Sequence, residues 1–323
     1  LAGYTEEIHA KKIPLVCVVG PTASGKTKLS IEIAKLYNGE VVSADSMQIY
    51  KNMSSGTAKP TIEEMDGIPH HCIDLITPDK TFSVAEYVEY ARVSIADIAE
   101  RGKLPILAGG TGLYVNSLVD NITFTPTPSS TELRSELKKL GDIHGNEYLW
   151  HMLNKIDPEL AQNLHPNNQG RVIRGIEIYR LTGVTMTEHQ RLSRLHKSPY
   201  NLCMLGLNYS NRQTLYDRID LRVDLMVEQG LLDEVRALID KGYSKTSVQA
   251  IGYKEFFDYL EGKISLNEAV ERVKQETRRY AKRQLTWFRR DRRIHWLNID
   301  EFTDFNQLMM EVSQLIDKRK GVN

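Results

Sequence analysis

Three cysteines in 323 residues, Cys17, Cys72 and Cys203, leave no disulfide framework and no metal-ligand spacing. Cys17 and Cys203 sit in apolar, strand-like runs, where a buried thiol is the ordinary outcome. An odd, scattered set suits a reducing compartment, and a cytoplasmic protein is expected. An apolar run long enough to span a bilayer and a signal-peptide pattern are both missing, so no membrane is expected as a partner. Net charge is missing as well, with Lys+Arg 42 against Asp+Glu 42. A polyanionic partner must therefore be met by a local patch, not by the chain as a whole. Internal repeats and low-complexity tracts are absent too. At this length the chain holds one domain with an insertion, or two domains.

What is present begins with Gly20-Pro21-Thr22-Ala23-Ser24-Gly25-Lys26-Thr27, which fits GxxxxGK[ST]. Before it, Ile13 to Val19 is an apolar, β-branched run that reads as a buried strand. After it, Leu29, Ile33 and Leu36 recur at helical spacing. The glycines thus lie where a strand turns into a helix. Backbone N–H groups and the positive helix end there face one anion. Lys26 adds a point charge, and the Thr27 hydroxyl suits a phosphate-bound Mg²⁺. The loop fixes an oligophosphate site without saying what the phosphate is attached to.

Further strands are expected at Glu40–Asp45, His70–Ile76, Leu104–Ala108 and Asn201–Tyr209, with a helix from Ser83 to Ala99. Alternation of strand and helix at this spacing gives a parallel sheet. Ligands of such sheets bind beyond the carboxyl ends of the strands, so Asp45 and the P-loop should share one crevice. Thr123 to Ser130 is rich in Pro, Thr and Ser and marks a boundary. From Thr131 to His189 the segments are helical: Glu132–Leu140, Glu147–Lys155, one opened by Asp157 as cap with Pro158, and Gln169–Leu181. The fold class expected is α/β, a P-loop NTPase-like parallel sheet flanked by helices, with a helical insertion domain. Its core is residues 11–122 and 201–323, and the insertion is residues 123–200; residues 1–10 are left out. Helices are expected at Leu215–Gln229, Leu231–Lys241, from Gln249 onward, Leu266–Arg290 and Phe302–Lys320.

One local charge bias stands out. From Val270 to Arg293 there are ten Lys/Arg against three Asp/Glu. Arg272, Arg279, Arg283 and Arg290 fall at helical spacing, as do Arg278, Lys282, Arg289 and Arg293. Tyr280, Gln284 and Trp287 lie beside them. So few acids remove the usual i,i+4 partners. Cations interleaved with aromatics suit a phosphate backbone and unstacked bases better than a solvated face.

A P-loop with a strand-end Asp most often means a kinase or NTPase, in which Asp45 is a Mg²⁺ ligand or the base for a substrate hydroxyl. The basic helix has no task in a small-metabolite kinase, and no convincing second acid for Mg²⁺ follows the core strands. The P-loop, Ser43-Ala44-Asp45-Ser46-Met47-Gln48-Ile49-Tyr50, Gly56-Thr57-Ala58-Lys59-Pro60, Gly67-Ile68-Pro69-His70-His71, Gly109-Gly110-Thr111-Gly112-Leu113-Tyr114 and Gln249-Ala250-Ile251-Gly252-Tyr253-Lys254 together resemble the ordered motifs of bacterial tRNA dimethylallyltransferases. The likeness runs from about residue 13 to 293.

The resemblance implies that the bound oligophosphate is dimethylallyl diphosphate, with diphosphate as leaving group. Gly20, Pro21, Thr22, Ala23, Ser24, Gly25, Lys26 and Thr27 would hold it with Mg²⁺ on Thr27. Arg218 would stabilise its charge, with Arg222 one helical turn away as the alternative. Asp45 becomes the base for the adenine amine. Thr111 contacts the acceptor from the other side. The tRNA is expected on Asp45, Ser46, Met47, Gln48, Thr111, Arg134, Arg171, Arg174, Gln249, Lys254, Arg278, Arg279, Lys282, Arg283 and Trp287. Gly170 stands before Arg171 where the family usually has Gln. A monomer without a C-terminal zinc finger is expected. The rivals are a small-metabolite kinase, an adenylate isopentenyltransferase acting on free nucleotide, and a non-enzymatic RNA-binding module.

Overall fold

A computed structural model describes residues 12–124, 128–244 and 246–320. Residue 11, residues 125–127 of the expected boundary and residues 321–323 lie outside the described residues. The continuous apolar run at Ile13–Val19 forms β1, and Leu15 to Val19 are all at most 2 % exposed. Such a run, with no polar alternation, is what a strand covered on both faces demands. In chain order it is followed by α1 (Lys26–Tyr37), β2 (Gly39–Ser43), the one-turn α2 (Ile62–Met65), β3 (His70–His71), α3 (Val84–Glu100), β4 (Leu104–Gly109) and α4 (Gly112–Val119). A capping box of Ser83 with Glu86 starts α3, satisfying two otherwise orphan amides.

After the helical stretch the sheet resumes with β5 (Tyr200–Asn208), as the apolar pattern requires, and ends with β6 (Ile294–Asn298). The strand order is β3-β2-β4-β1-β5-β6, and every pairing is parallel. In register, Val19 of β1 lies between Gly109 of β4 and Gly206 of β5. The carboxyl ends of β1, β2 and β4 therefore deliver residues 20–27, 45–50 and 109–112 to one side of the sheet.

The chain divides into two compact units, Leu1–Val119 with Pro199–Asn323, and Asp120–Ser198. The second unit is entirely helical among its described residues: α5 (Thr131–His144), α6 (Asn146–Ile156), α7 (Pro158–Gln162), α8 (Gln169–Thr182) and α9 (Met186–Leu192). It has its own core of Leu137, Leu149, Leu153, Val172 and Ile176. The Asp157 carboxylate caps α7 at Leu160 N–H and also accepts from the amide and hydroxyl of Thr187, tying α9 to α7. The first unit continues after β5 with α10 (Arg212–Glu228), α11 (Leu231–Lys241), the one-turn α12 (Phe257–Leu260), α13 (Leu266–Phe288) and, after β6, α14 (Phe305–Lys320). Together α1 and α14 bury one sheet face on Val16, Val18, Leu205 and Leu207.

Three expectations are corrected. The strand expected at His70–Ile76 pairs only at His70 and His71, because Cys72 (φ 60°) and Asp74 (φ 52°) take left-handed backbone and turn the chain away. Ile76 returns as an isolated bridge to Tyr50. Gln249 to Lys254 does not open an α-helix. Gly252 at φ 94° separates two 3₁₀ turns, Ser247–Gln249 and Lys254–Phe256. The strand β6 answers to no strand expected from the sequence.

At the amino end of β2, away from those loops, Glu40 is 2 % exposed and ionically satisfied. It accepts from Arg101 through both oxygens (2.6 and 2.7 Å), from Lys103 at 2.7 Å and from His71 at 2.8 Å. Arg101 first, then Lys103 and His71, hold its carboxyl far below the usual range, against the opposing effect of burial. Glu40→Gln removes the buried charge itself and leaves Arg101 and Lys103 partly open to water, so stability should fall by about 1–3 kcal/mol, the worth of charged hydrogen bonds. The contribution of a depressed carboxyl is present above its unfolded pKa and lost as pH falls toward the folded one. The difference between the two proteins in thermal or urea unfolding should therefore be full at pH 7 and shrink below about pH 4.

Candidate active site

The P-loop closes tightly. Gly25 at φ 84° and Ala23 at φ 62° both take left-handed backbone, and the Ser24 hydroxyl donates to Pro21 O at 2.8 Å. The Lys26 ammonium folds back to the same carbonyl at 2.6 Å. From α10, Arg218 reaches Ala23 O at 3.2 Å and Arg222 reaches Ala58 O at 3.4 Å. Neither arginine pairs with Asp217, Asp220 or Asp224, the acids beside them in sequence. Among the described residues, Lys26, Arg218 and Arg222 form no ion pair, and each rests on neutral carbonyls instead. Three cations without counterions crowd one another. Burial and then Arg222 push the Lys26 ammonium down to about 7, with Asp45 acting the other way. Arg222 is likewise lowered by burial, opposed chiefly by Asp45. This arrangement is costly unless an anion arrives.

Opposite stands the end of β2. Asp45 Oδ1 accepts from Met47 N–H at 2.9 Å, which orients the carboxylate, and the side chain stays half-buried. Ser46 N–H donates to Thr111 Oγ1 at 3.0 Å, so the loops after β2 and β4 are locked together. Gln48 accepts from the Ser43 hydroxyl at 2.9 Å and donates to Ala58 O at 3.2 Å. The 54–60 loop that supplies Ala58 is itself pinned by Glu234 of α11. That carboxylate accepts from the amides of Ser54 (2.8 Å), Ser55 (2.9 Å) and Gly56 (3.1 Å) and from the Tyr253 hydroxyl (2.5 Å). Tyr253 is fully buried. The Gln249–Lys254 motif thus acts on the crevice through Tyr253, while Gln249 and Lys254 themselves lie exposed. Lys59 is also structural, bonding Tyr50 O at 2.8 Å and Asp74 at 2.5 Å.

On α13 the structure separates two faces. Arg272 pairs with Asp258, Lys274 with Asp224, Arg278 with Asp220 at 2.5 Å and Arg279 with Glu276 at 2.5 Å. Sequence spacing reveals partners only along α13 itself; α10 supplies two of these. Lys282, Arg283, Arg289 and Arg290 remain exposed without an ion pair among the described residues, and Arg283 lies over the Tyr280 ring at 5.7 Å. Tyr280, Gln284 and Trp287 point inward. Burial and then the Asp45 charge push the Tyr280 phenol up, with Thr111 chiefly acting the other way, so it stays protonated. Trp287 Nε1 donates to Asn116 Oδ1 at 3.3 Å.

Within the helical unit, Arg134 and Arg174 both bind the fully buried Glu177, at 2.9 and 2.5 Å. Although burial pushes this carboxyl up, Arg174, the Ser130 amide and Arg134 hold it below the usual range. Arg171 is exposed. Among the described residues no cluster of three His, Cys, Asp or Glu side chains could hold a metal, and no helix is long and apolar enough to cross a membrane.

A central parallel strand, a GxxxxGKT loop with unpaired cations and a strand-end carboxylate define a P-loop-like α/β protein. Residues 48–291 match the family model of the IPP transferases, and the chain belongs to that family. It is 50% identical over 307 residues to a tRNA dimethylallyltransferase of Caldanaerobacter subterraneus subsp. tengcongensis, covering 94% of this chain and 98% of that protein. Among solved structures it resembles a full-length tRNA isopentenylpyrophosphate transferase of Bacillus halodurans, with 47% identity, a TM-score of 0.72, and 96% and 99% of the two chains covered. A eukaryotic dimethylallyltransferase acting on tRNA superposes with a TM-score of 0.80 at 30% identity, over 96% of this chain and 80% of that one.

Proposed function

We propose that this protein transfers a dimethylallyl group from dimethylallyl diphosphate to the exocyclic amine of the adenosine 3′-adjacent to the anticodon in tRNA, releasing diphosphate. The observation that carries the reading is the set of three cations, Lys26, Arg218 and Arg222, held on carbonyls around the P-loop and facing Asp45. As the new N–C bond forms, the C–O bond to diphosphate breaks and negative charge grows on the leaving group. The P-loop amides, Lys26, Arg218 and Arg222 stabilise that charge. The amine's lone pair is delocalised into the ring. Asp45 orients the N–H and takes its proton as bonding proceeds. Ser46 lies beside the base, Gln48 holds its loop through Ser43 and Ala58, and Thr111 holds that loop from the other side. The base leaves its stack to reach them.

Mg²⁺ fits this chemistry as a phosphate-borne ion. Thr27 at the first turn of α1 would be its protein ligand, and water and diphosphate oxygens would complete its shell, as this ion prefers. When bound it would add charge neutralisation at the leaving group. The three cysteines are buried and free, which suits the cytoplasm.

The test is purified protein with dimethylallyl diphosphate, Mg²⁺ and unmodified tRNA, followed by mass analysis of the nucleosides. Robust ATP turnover indifferent to RNA, with no prenylated adenosine, would return the kinase reading. For the RNA side, Lys282→Ala with Arg283→Ala should weaken tRNA binding and reduce the slope of log K against log salt by about 1–2. Arg134 and Arg174 are poorer probes, since removing either strips a buried carboxylate of a partner.

A further inference from the structure

Gln284 lies in the middle of the basic helix, yet only 5 % of it is exposed. Its Oε1 accepts from Thr22 N–H at 2.9 Å, and its Nε2 donates to Gly110 O at 3.0 Å. Thr22 belongs to the P-loop after β1; Gly110 belongs to the loop after β4. These strands are neighbours, paired at Val19 and Gly109, so one side-chain amide closes across the crevice between them. A Cβ at residue 110 would collide with Nε2, and one at residue 112 would collide with the Trp287 ring. Glycine at both places is what lets α13 come this close. Thr22 also precedes Ala23, a non-glycine residue at φ 62°, a conformation that needs its surroundings to hold it.

We infer that Gln284 is a positioning residue of the donor site: its amide fixes the P-loop at Thr22 against the Gly110 loop, so that α13 holds the diphosphate cradle in its binding shape. The assignment rests on the functional reading above in naming the ligand a diphosphate. Only an amide serves both partners, because one end must accept and the other donate. Methionine of similar length leaves a buried N–H and a buried carbonyl unpaired. An ionised glutamate still accepts from Thr22 but sets its second oxygen against the Gly110 carbonyl; once protonated it can donate there again.

The experiment titrates inorganic diphosphate with Mg²⁺ into the whole chain by calorimetry, each variant compared with wild type at the same pH. Gln284→Met should weaken binding about tenfold or more, the size of one lost buried hydrogen bond, with tRNA affinity within about twofold of wild type. Gln284→Glu should be the weaker binder at pH 8 and recover toward wild type at pH 6. A folded Gln284→Met that binds diphosphate like wild type, or that loses tRNA affinity instead, overturns the assignment. Should that variant fail to fold, the absence of any pH-dependent recovery in Gln284→Glu overturns it equally. A wild type that binds diphosphate but leaves tRNA unmodified would defeat the functional reading and leave the role of Gln284 standing.

Discussion

Asp45→Asn should lower kcat by roughly 10²–10⁴ while both substrates still bind, because the amide keeps the shape of the carboxylate and cannot accept a proton. Asn can still accept from the Met47 amide, which holds Asp45 at 2.9 Å, so the 45–50 loop has no reason to move. The loss should persist in a single turnover, since the proton leaves as the N–C bond forms. The competing role is a Mg²⁺ ligand. That role predicts weakened donor binding and partial rescue by raised Mg²⁺, with tRNA affinity unchanged. Observing this combination would remove Asp45 from the base position.

Lys26→Ala should cost roughly 10²–10³ in kcat, comparable to deleting a donor aimed at developing charge. Lys26 differs from the two arginines in its titration. With burial and Arg222 holding it near 7 in the free protein, an arriving diphosphate favours the charged form and draws a proton onto it. Diphosphate affinity should therefore decline as pH rises above about 7, with proton uptake visible as a dependence of calorimetric heat on buffer ionisation. Lys26→Arg, charged throughout, should flatten that decline. A wild-type profile identical to that of Lys26→Arg would place the Lys26 pKa elsewhere.

Much of this is legible in the residues. Uninterrupted apolar runs at Ile13–Val19 and Leu104–Ala108, with a P-loop after the first, require a parallel sheet, and its carboxyl ends then bring Asp45, Lys26 and Thr111 together. Other features lie outside local pattern. The His-Trp pair in Ile294–Asn298 and the arginines before it hide an edge strand that pairs with β5. Two left-handed residues end β3 early, and neither Cys72 nor Asp74 announces that conformation. Charge counting along α13 misses Asp220 and Asp224, because partners on a packed neighbour have no fixed sequence offset. In sequence, Gln284 and Tyr280 lie among cations expected to meet RNA. The helix turns them inward, where Gln284 meets Thr22, 262 positions away. Nor does sequence pattern show Glu177 beneath Arg134 and Arg174.

The strand order also bears on how the chain is made. On one side β1 pairs with β4, and on the other with β5, whose residues follow the whole helical unit. While the ribosome adds the roughly 90 residues from Gly109 to Tyr200, at about 5–20 residues per second, the most apolar strand has one open edge for on the order of 5–20 seconds. An open, flat, apolar edge is a template for pairing with another chain. Crowded polysomes are where such pairing would begin. The vulnerable species is then the nascent chain that has passed Gly109 but not yet Tyr200, and its exposure ends when Tyr200–Asn208 emerges and pairs.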